Sequence, residues 1–154
     1  LAEGRWQPVI EDKQAALSPE KVRRLILCSG KVAVDLITAP QRAKIRSVAI
    51  WRVEQLYPLP VEEIKNLLVR YSGIEEVVWL QEEPRNMGAW EFVRLQIARL
   101  IGGRCPLHYV GRPRSSSPAE GSSAWHAATQ EMLIAQALEV KEVSSEETVL
   151  LKKA

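Results

Sequence analysis

The side chains of this 154-residue chain that could do chemistry fall into four polar clusters. They are Ser29-Gly30-Lys31; Glu54-Gln55; Gln81-Glu82-Glu83-Pro84-Arg85-Asn86; and Gly111-Arg112-Pro113, which leads to Ser115 to Ser117 and on to His126. Lys31, Arg85 and Arg112 could hold an anion such as a nucleotide or an acyl-CoA, because guanidinium matches carboxylate and phosphate bidentately and ammonium adds a point charge. Glu82 and Glu83 are the carboxylates that acid–base work would need. They are adjacent, however, and on extended backbone adjacent side chains point to opposite sides, so they form no paired site by themselves. At least one is expected to pair with Arg85 or Arg112. Ser29 has no Gly-x-Ser-x-Gly elbow around it, and only His108 and His126 could serve as bases, which argues against a hydrolase triad. The eight glycines make neither GxGxxG nor GxxxxGK[ST], so dinucleotide and P-loop fingerprints are missing. One histidine near distant carboxylates also falls short of the ligand density of a zinc or iron site.

What must position these clusters are four short apolar runs: Leu25 to Cys28, Val48 to Trp51, Val77 to Leu80 and Leu107 to Val110. They are rich in β-branched and aromatic residues and mostly do not alternate with polar ones, as befits parallel strands covered by helices on both faces. Between them lie helical spacings. Val61, Ile64, Leu67, Leu68 and Tyr71 make one stripe, and Trp90, Val93, Ile97, Leu100 and Ile101 another. Pro60 suits a first helical position, followed by Glu62 and Glu63 where the helix N-terminus favours negative charge. Lys31 to about Ala43 predicts a helix broken near Pro40. A last helix is expected from about Ser123 to Leu138, capped by Ser122 or Ser123, with Trp125, Ala128, Met132 and Leu133 facing inward. Strand and helix thus alternate four times with about 25–30 residues per unit, which predicts right-handed crossovers and a mostly parallel sheet between two helical layers. Arg5 to Ile10 could add an edge strand. The four polar clusters then share the carboxyl edge of the sheet, where open α/β folds gather their ligands. Turn formation and helix capping would place polar residues there equally well.

Composition bounds the function. Hydrophobic residues make up 46% and charged residues 26%, and 21 Lys+Arg against 19 Asp+Glu leave a net charge of +2, the profile of a globular domain. The longest cationic stretches are the pairs Arg23-Arg24 and Lys152-Lys153, so no nucleic-acid-binding run is present. Apolar runs stop at four or five residues, far below the roughly 20 that span a bilayer. Cys28 and Cys105 form no CxxC and are expected to be free thiols in a reducing compartment. The start at Leu1, with no basic and apolar leader after it, reads as a fragment or a processed protein rather than a signal peptide.

Taken in order, the clusters and their flanks resemble the carboxyl-terminal domain of the thiamine-diphosphate-dependent 2-oxoglutarate dehydrogenases. The resemblance lies in Leu27-Cys28-Ser29-Gly30-Lys31-Val32 with Asp35-Leu36, and in Arg52 through Pro60 (RVEQLYPLP). It continues in Gln81 through Trp90 (QEEPRNMGAW) and in Tyr109 through Pro113 leading to Ser117-Pro118-Ala119, Gly121 and His126. It covers roughly residues 20 to 140. Leu59 departs from the family, many members of which carry an aromatic residue there.

The resemblance implies a transketolase-type three-layer α/β/α sandwich with four parallel strands and one antiparallel edge strand. It divides the chain into an N-terminal extension or edge strand (1–20), the domain itself (21–140) and a tail (141–154). It implies a parent enzyme that decarboxylates 2-oxoglutarate on thiamine diphosphate and magnesium and passes the succinyl group to the lipoyl arm of the succinyltransferase component. The compartment would be bacterial cytoplasm or, in a eukaryote, the mitochondrial matrix. The family's cofactor lies between two other domains of a homodimer, and its Gly-Asp-Gly signature is not in this sequence. The fragment is therefore expected to bind no cofactor and to be inactive alone, packing on the parent's remaining domains and on the homodimer partner; in some relatives such a domain also helps form an allosteric acyl-CoA site or docks a regulator. Ser29, Lys31, Glu54, Gln55, Glu82, Glu83, Arg85, Asn86, Arg112, Ser117 and His126 are its candidate ligand or interface residues. The alternative is a free-standing module that binds a nucleotide or acyl-CoA through Lys31, Arg85 and Arg112.

Overall fold

A computed structural model describes residues 4–139. Strand β1 (Val9–Ile10) is followed by β2 (Arg24–Cys28), helix α1 (Val32–Thr38), β3 (Val48–Val53), α2 (Val61–Arg70), β4 (Glu76–Pro84), α3 (Trp90–Ile101), β5 (Leu107–Arg112) and α4 (Ser123–Leu138). The strands form one five-stranded sheet in the order β1-β3-β2-β4-β5. Pairing is parallel throughout except at the edge, where Val9 and Ile10 run antiparallel to Val53 and Arg52. The expected mostly parallel sheet with one antiparallel edge strand is therefore the fold observed. The proposed tail, residues 141–154, lies outside the described residues.

The apolar runs become central strands because both of their faces are covered. Side chains alternate across the sheet, so Leu25, Leu27, Trp51, Val77 and Trp79 meet Ile64 and Leu68 of α2 and Val93, Ile97 and Ile101 of α3 on one side. On the other, Ile26, Cys28, Ile50, Val78 and Leu80 meet Val32, Ala33 and Leu36 of α1 and Leu133, Ala137 and Leu138 of α4. These two cores are the three layers. Each large side chain fully buried in them, such as Ile64 or Leu133, contributes roughly 1.5–3 kcal/mol against exposure.

Proline and glycine punctuate the helices as their geometry requires. Proline cannot donate a backbone hydrogen bond, and α1 stops at Thr38 before a 3₁₀ turn at Pro40–Lys44. Gly102 closes α3 at φ 61°, a left-handed conformation that lets its amide reach Ala98 O at 3.1 Å. Pro60 stands one place before α2, at its N-cap. Ser122 Oγ caps α4 by accepting from the Trp125 amide at 3.1 Å.

Two ion pairs, each with a buried arginine, stitch distant segments. Asp12 accepts from Gln14 N, Ala15 N, Ile50 N and Arg42 Nη2, which links the N-terminal segment to β3 and the Pro40–Lys44 turn. At the opening of β2, Arg24 pairs with Glu76 at 2.7 Å and donates to the carbonyls of Gln136 and Ala137 in the last turn of α4. The helix dipole leaves partial negative charge at that end, so the guanidinium both caps and anchors α4.

The amino end of α4 differs from expectation. Trp125 is 68% exposed and Met132 58%, Ala128 is exposed, and of the four residues expected to face inward only Leu133 is buried. The first two turns meet the sheet only through polar side chains, Gln130 at Glu82 and His126 at Arg112, and the inward apolar stripe begins at Leu133 and continues through Ala137 and Leu138. The helix is apolar on almost every side at this end, so composition did not reveal its phase.

Candidate functional site

The topology reverses direction between β2 and β4. From β2 the chain crosses through α1 to β3 on one side, then returns over β2 through α2 to β4 on the other. Loops leaving the two neighbouring strands therefore diverge to opposite faces, opening a crevice at their carboxyl ends. A cleft of about 480 Å³ occupies that place. Ser29, Gly30 and Lys31 line it after β2, Leu56 and Tyr57 after β3, Trp79, Gln81, Glu82 and Glu83 along β4, and Gly88, Ala89 and Phe92 at the start of α3. Tyr57 is 82% exposed and its ring centroid lies 6.0 Å from that of Phe92, so the cleft has an aromatic lip open to solvent.

Gln81 builds the β4 side of this cleft. Its Oε1 accepts from Trp79 Nε1 and from the Trp90 amide, both at 3.0 Å. Its Nε2 donates to the carbonyls of Met87 at 2.7 Å, Pro84 at 3.2 Å and Glu83 at 3.3 Å. One buried amide thus holds the turn from β4 into α3. Gly88 makes the close approach possible: at φ 63°, a Cβ there would stand 2.9 Å from Gln81 Nε2. β4 itself runs on to Pro84, beyond the apolar run, because Pro84 still pairs with Arg112 after a register shift.

Of the residues singled out by sequence, the cleft gathers Ser29, Lys31, Glu82 and Glu83. Glu82 and Glu83 diverge as extended backbone demands. The Glu82 carboxylate accepts from Gln130 Nε2 at 2.9 Å on the α4 side, whereas the Glu83 carboxylate stands beside Gly88 on the α3 side. Lys31 is occupied. Its Nζ meets Asp35 at 2.6 Å, and that hydrogen bond raises the lysine above its ordinary range and holds the Asp35 carboxyl below its own. Gln130 also donates to Asp35 at 3.0 Å, joining α1, β4 and α4 through one amide.

The other candidates lie away from the cleft. Glu54 pairs with Arg52 at 2.5 Å, and Gln55 Nε2 braces the turn by donating to Pro58 O at 2.7 Å. Asn86 exchanges hydrogen bonds with the backbone of Ser115, and Ser117 Oγ accepts from the Ala119 amide at 3.2 Å, so both order the loop after β5.

The expected pairing of Glu82 or Glu83 with Arg85 or Arg112 does not form. Arg112 is 7% exposed; it donates through Nη1 to the backbone carbonyl of Glu82 and pairs through Nη2 with Glu120 at 3.0 Å. Burial pushes the Glu120 carboxyl up, but hydrogen bonds from Arg112 and Thr129 outweigh it and leave the group below its ordinary range. His126 Nδ1 lies 3.1 Å from both Arg112 Nη2 and Glu120 Oε2. It can accept from the arginine or donate to the carboxylate, but not both at once. Arg85 stacks on the Tyr109 ring at 5.2 Å and has no carboxylate partner among the described residues.

Chemically, then, the cleft combines an aromatic lip, two carboxylates and one lysine already paired. Its field favours no anion. Lys31, Arg85 and Arg112 do not converge on one ligand, and among the described residues no group of three or more His, Cys, Asp or Glu could hold a metal. No helix among them is long and apolar enough to cross a membrane.

A parallel sheet sandwiched by helices, closed by one antiparallel edge strand and opening its crevice at the β2/β4 reversal, defines an α/β domain of the transketolase carboxyl-terminal type. More particularly, the chain belongs to the 2-oxoglutarate dehydrogenase C-terminal family, whose model matches residues 1–138. It is 42% identical over 145 residues to the 2-oxoglutarate dehydrogenase E1 component of Bacillus cereus (strain B4264), and 43% identical over the same length to that of Bacillus mycoides (strain KBAB4). Each alignment covers 92% of this chain and 15% of the relative. The chain thus spans about 15% of the length of the relatives it matches.

Proposed function

We propose that this chain serves as the carboxyl-terminal assembly domain of a thiamine-diphosphate-dependent 2-oxoglutarate dehydrogenase. The parent would decarboxylate 2-oxoglutarate and transfer the succinyl group to the lipoyl arm of the succinyltransferase component. The domain's own part is to pack against the parent's remaining domains and extend its homodimer interface. The residues present do not fit thiamine diphosphate or magnesium: the described part offers no metal donor set, and the sequence has no Gly-Asp-Gly. Those groups are assigned to the other domains, and the compartment to bacterial cytoplasm or mitochondrial matrix.

The observation that carries this reading is where large apolar side chains stay in water. Val34 and Ile37 on α1 and Trp125 and Met132 on α4 lie in one helical layer, and Tyr57 and Phe92 flank the cleft; all six are between 45% and 82% exposed. Surfaces of this kind are what a domain leaves bare when its neighbours are elsewhere. The test is reconstitution. The 154-residue chain is mixed with the remaining polypeptide of the enzyme, and association is followed by sedimentation and succinyl transfer by lipoyl acylation. The complex should form and should weaken with Tyr57→Ser or Trp125→Ser, variants that leave the chain folded. A chain that neither binds the remainder nor alters its activity would refute the proposal.

A further inference from the structure

Outside the cleft, on the far side of β4, three arginines border a shallow groove of about 750 Å³ between the start of α3 and the loop after β5. Arg85, Arg94 and Arg114 line it with Glu91, Trp90 and Pro113. Among the described residues, only one carboxylate serves the three guanidinium groups: Glu91 meets Arg94 Nε at 2.9 Å and Arg114 Nη2 at 3.5 Å. Arg85 is stacked on Tyr109 instead of ion-paired. Counting the described residues, the groove carries two more positive charges than negative, in residues that stay charged at any physiological pH.

The arrangement is built and not a scatter of surface cations. The Arg85 amide donates to Arg112 O at 3.0 Å, and Asn86 clasps the Ser115 backbone at 2.9 and 3.0 Å, which sets the arm bearing Arg114 against the turn bearing Arg85. The Tyr109 face holds the Arg85 guanidinium in place while leaving its donors free. The amino end of the 12-residue α3 adds partial positive charge to the same wall.

We infer that this groove binds a small, multiply charged oxyanion, a diphosphate or a tricarboxylate, held by Arg85, Arg94 and Arg114, with Glu91 as the internal competitor that the ligand displaces. Concavity of this size suits a small molecule. Planar guanidinium donors suit phosphate or carboxylate oxygens. The site is a property of the domain and is independent of the parent's proposed reaction.

Calorimetry on the 154-residue chain at low ionic strength tests this, with pyrophosphate and citrate as separate arms and sulfate as the control for general screening. Saturable binding of pyrophosphate or citrate in excess of sulfate is expected, and the arm that binds tighter identifies the source chemistry. Arg85→Gln and Arg114→Gln should each weaken it roughly three- to tenfold. Glu91→Gln should tighten it by a similar factor, an outcome that a nonspecific charge effect spread over the whole chain would not concentrate at this position. Binding should fall as salt rises. No saturable heat at millimolar ligand, insensitivity to the two arginine variants, or a Glu91→Gln variant that binds no better would each overturn the inference.

Discussion

Replacing Gln81 by leucine, which keeps roughly the volume and removes every polar atom of the side chain, should unlatch the β4–α3 turn. Two buried donors, Trp79 Nε1 and the Trp90 amide, would lose their acceptor, and the Pro84 carbonyl its buried donor. Leaving a buried polar group unsatisfied costs about 1–3 kcal/mol, so the two donors alone place the loss near 4 kcal/mol, a large share of an ordinary domain's 5–15 kcal/mol. Urea unfolding measures the loss, and hydrogen exchange at the Trp90 amide locates it. Protection there should drop further than that of β2 and β3, whose ladders do not pass through Gln81. Gln81→Glu sharpens the test. A carboxylate keeps the acceptor for Trp79 and Trp90 but turns a second oxygen toward three carbonyls, so the folded-state pKa must rise above the unfolded value of about 4.3. The sign follows from linkage. The penalty is present at neutral pH and recedes as pH falls through the raised pKa, so this variant should regain stability relative to the parent chain on going from about pH 7 to pH 5. A Gln81→Leu loss below about 1 kcal/mol, or a Gln81→Glu deficit independent of pH, would refute the latch.

The Asp12–Arg42 pair offers a second measurement. Asp12→Ala strands a guanidinium that is 3% exposed and should cost about 3–5 kcal/mol, whereas Asp12→Ala with Arg42→Met should cost less than the single change; a double mutant no more stable than Asp12→Ala would deny the coupling. The thiols provide a third. Burial pushes Cys28 up to about 12, so it stays protonated and covered, while Cys105 is raised less and only partly buried. Iodoacetamide followed by peptide mass analysis should label Cys105 in the native chain and reach Cys28 only on unfolding, since the thiolate is the nucleophile.

The frame of this domain was legible because its determinants are local. Apolar runs too short for helices and too continuous for one-sided strands predicted β2 to β5, and the 3.6-residue stripes of α2 and α3 matched their observed limits within a residue or two. The carboxyl-edge position of the polar clusters followed from strand direction alone. What escaped was everything decided by partners distant in sequence. Gln81 opens the QEEPRNMGAW stretch, yet nothing local says that an amide will meet a tryptophan two residues away and a helix start nine away. The shared carboxyl edge of the sheet points Arg112 to Glu82 and Glu83, whereas in the fold it meets Glu120, which the loop after β5 brings back upon it. Asp12 and Arg42 are thirty residues apart and had no motif to connect them. α4 failed differently: with alanine, tryptophan, methionine and leucine around its circumference, more than one phase satisfied the pattern.

The Arg24 anchor gives α4 the mechanics of a beam that is clamped at one end and tethered at the other. One end is clamped, since a guanidinium seated between Glu76 and the final carbonyls couples the last turn to the sheet. The other is tethered by polar side chains alone, Gln130 to Glu82 and Asp35 and His126 beside Arg112, with Trp125 exposed next to them. A load at the tryptophan therefore falls first on those tethers and then on the clamp at the far end, where Arg24 is itself the first residue of β2. Whatever surface comes to rest on that end would press on the carboxyl edge of β4 and β5 through the tethers and on the middle of the sheet through Arg24.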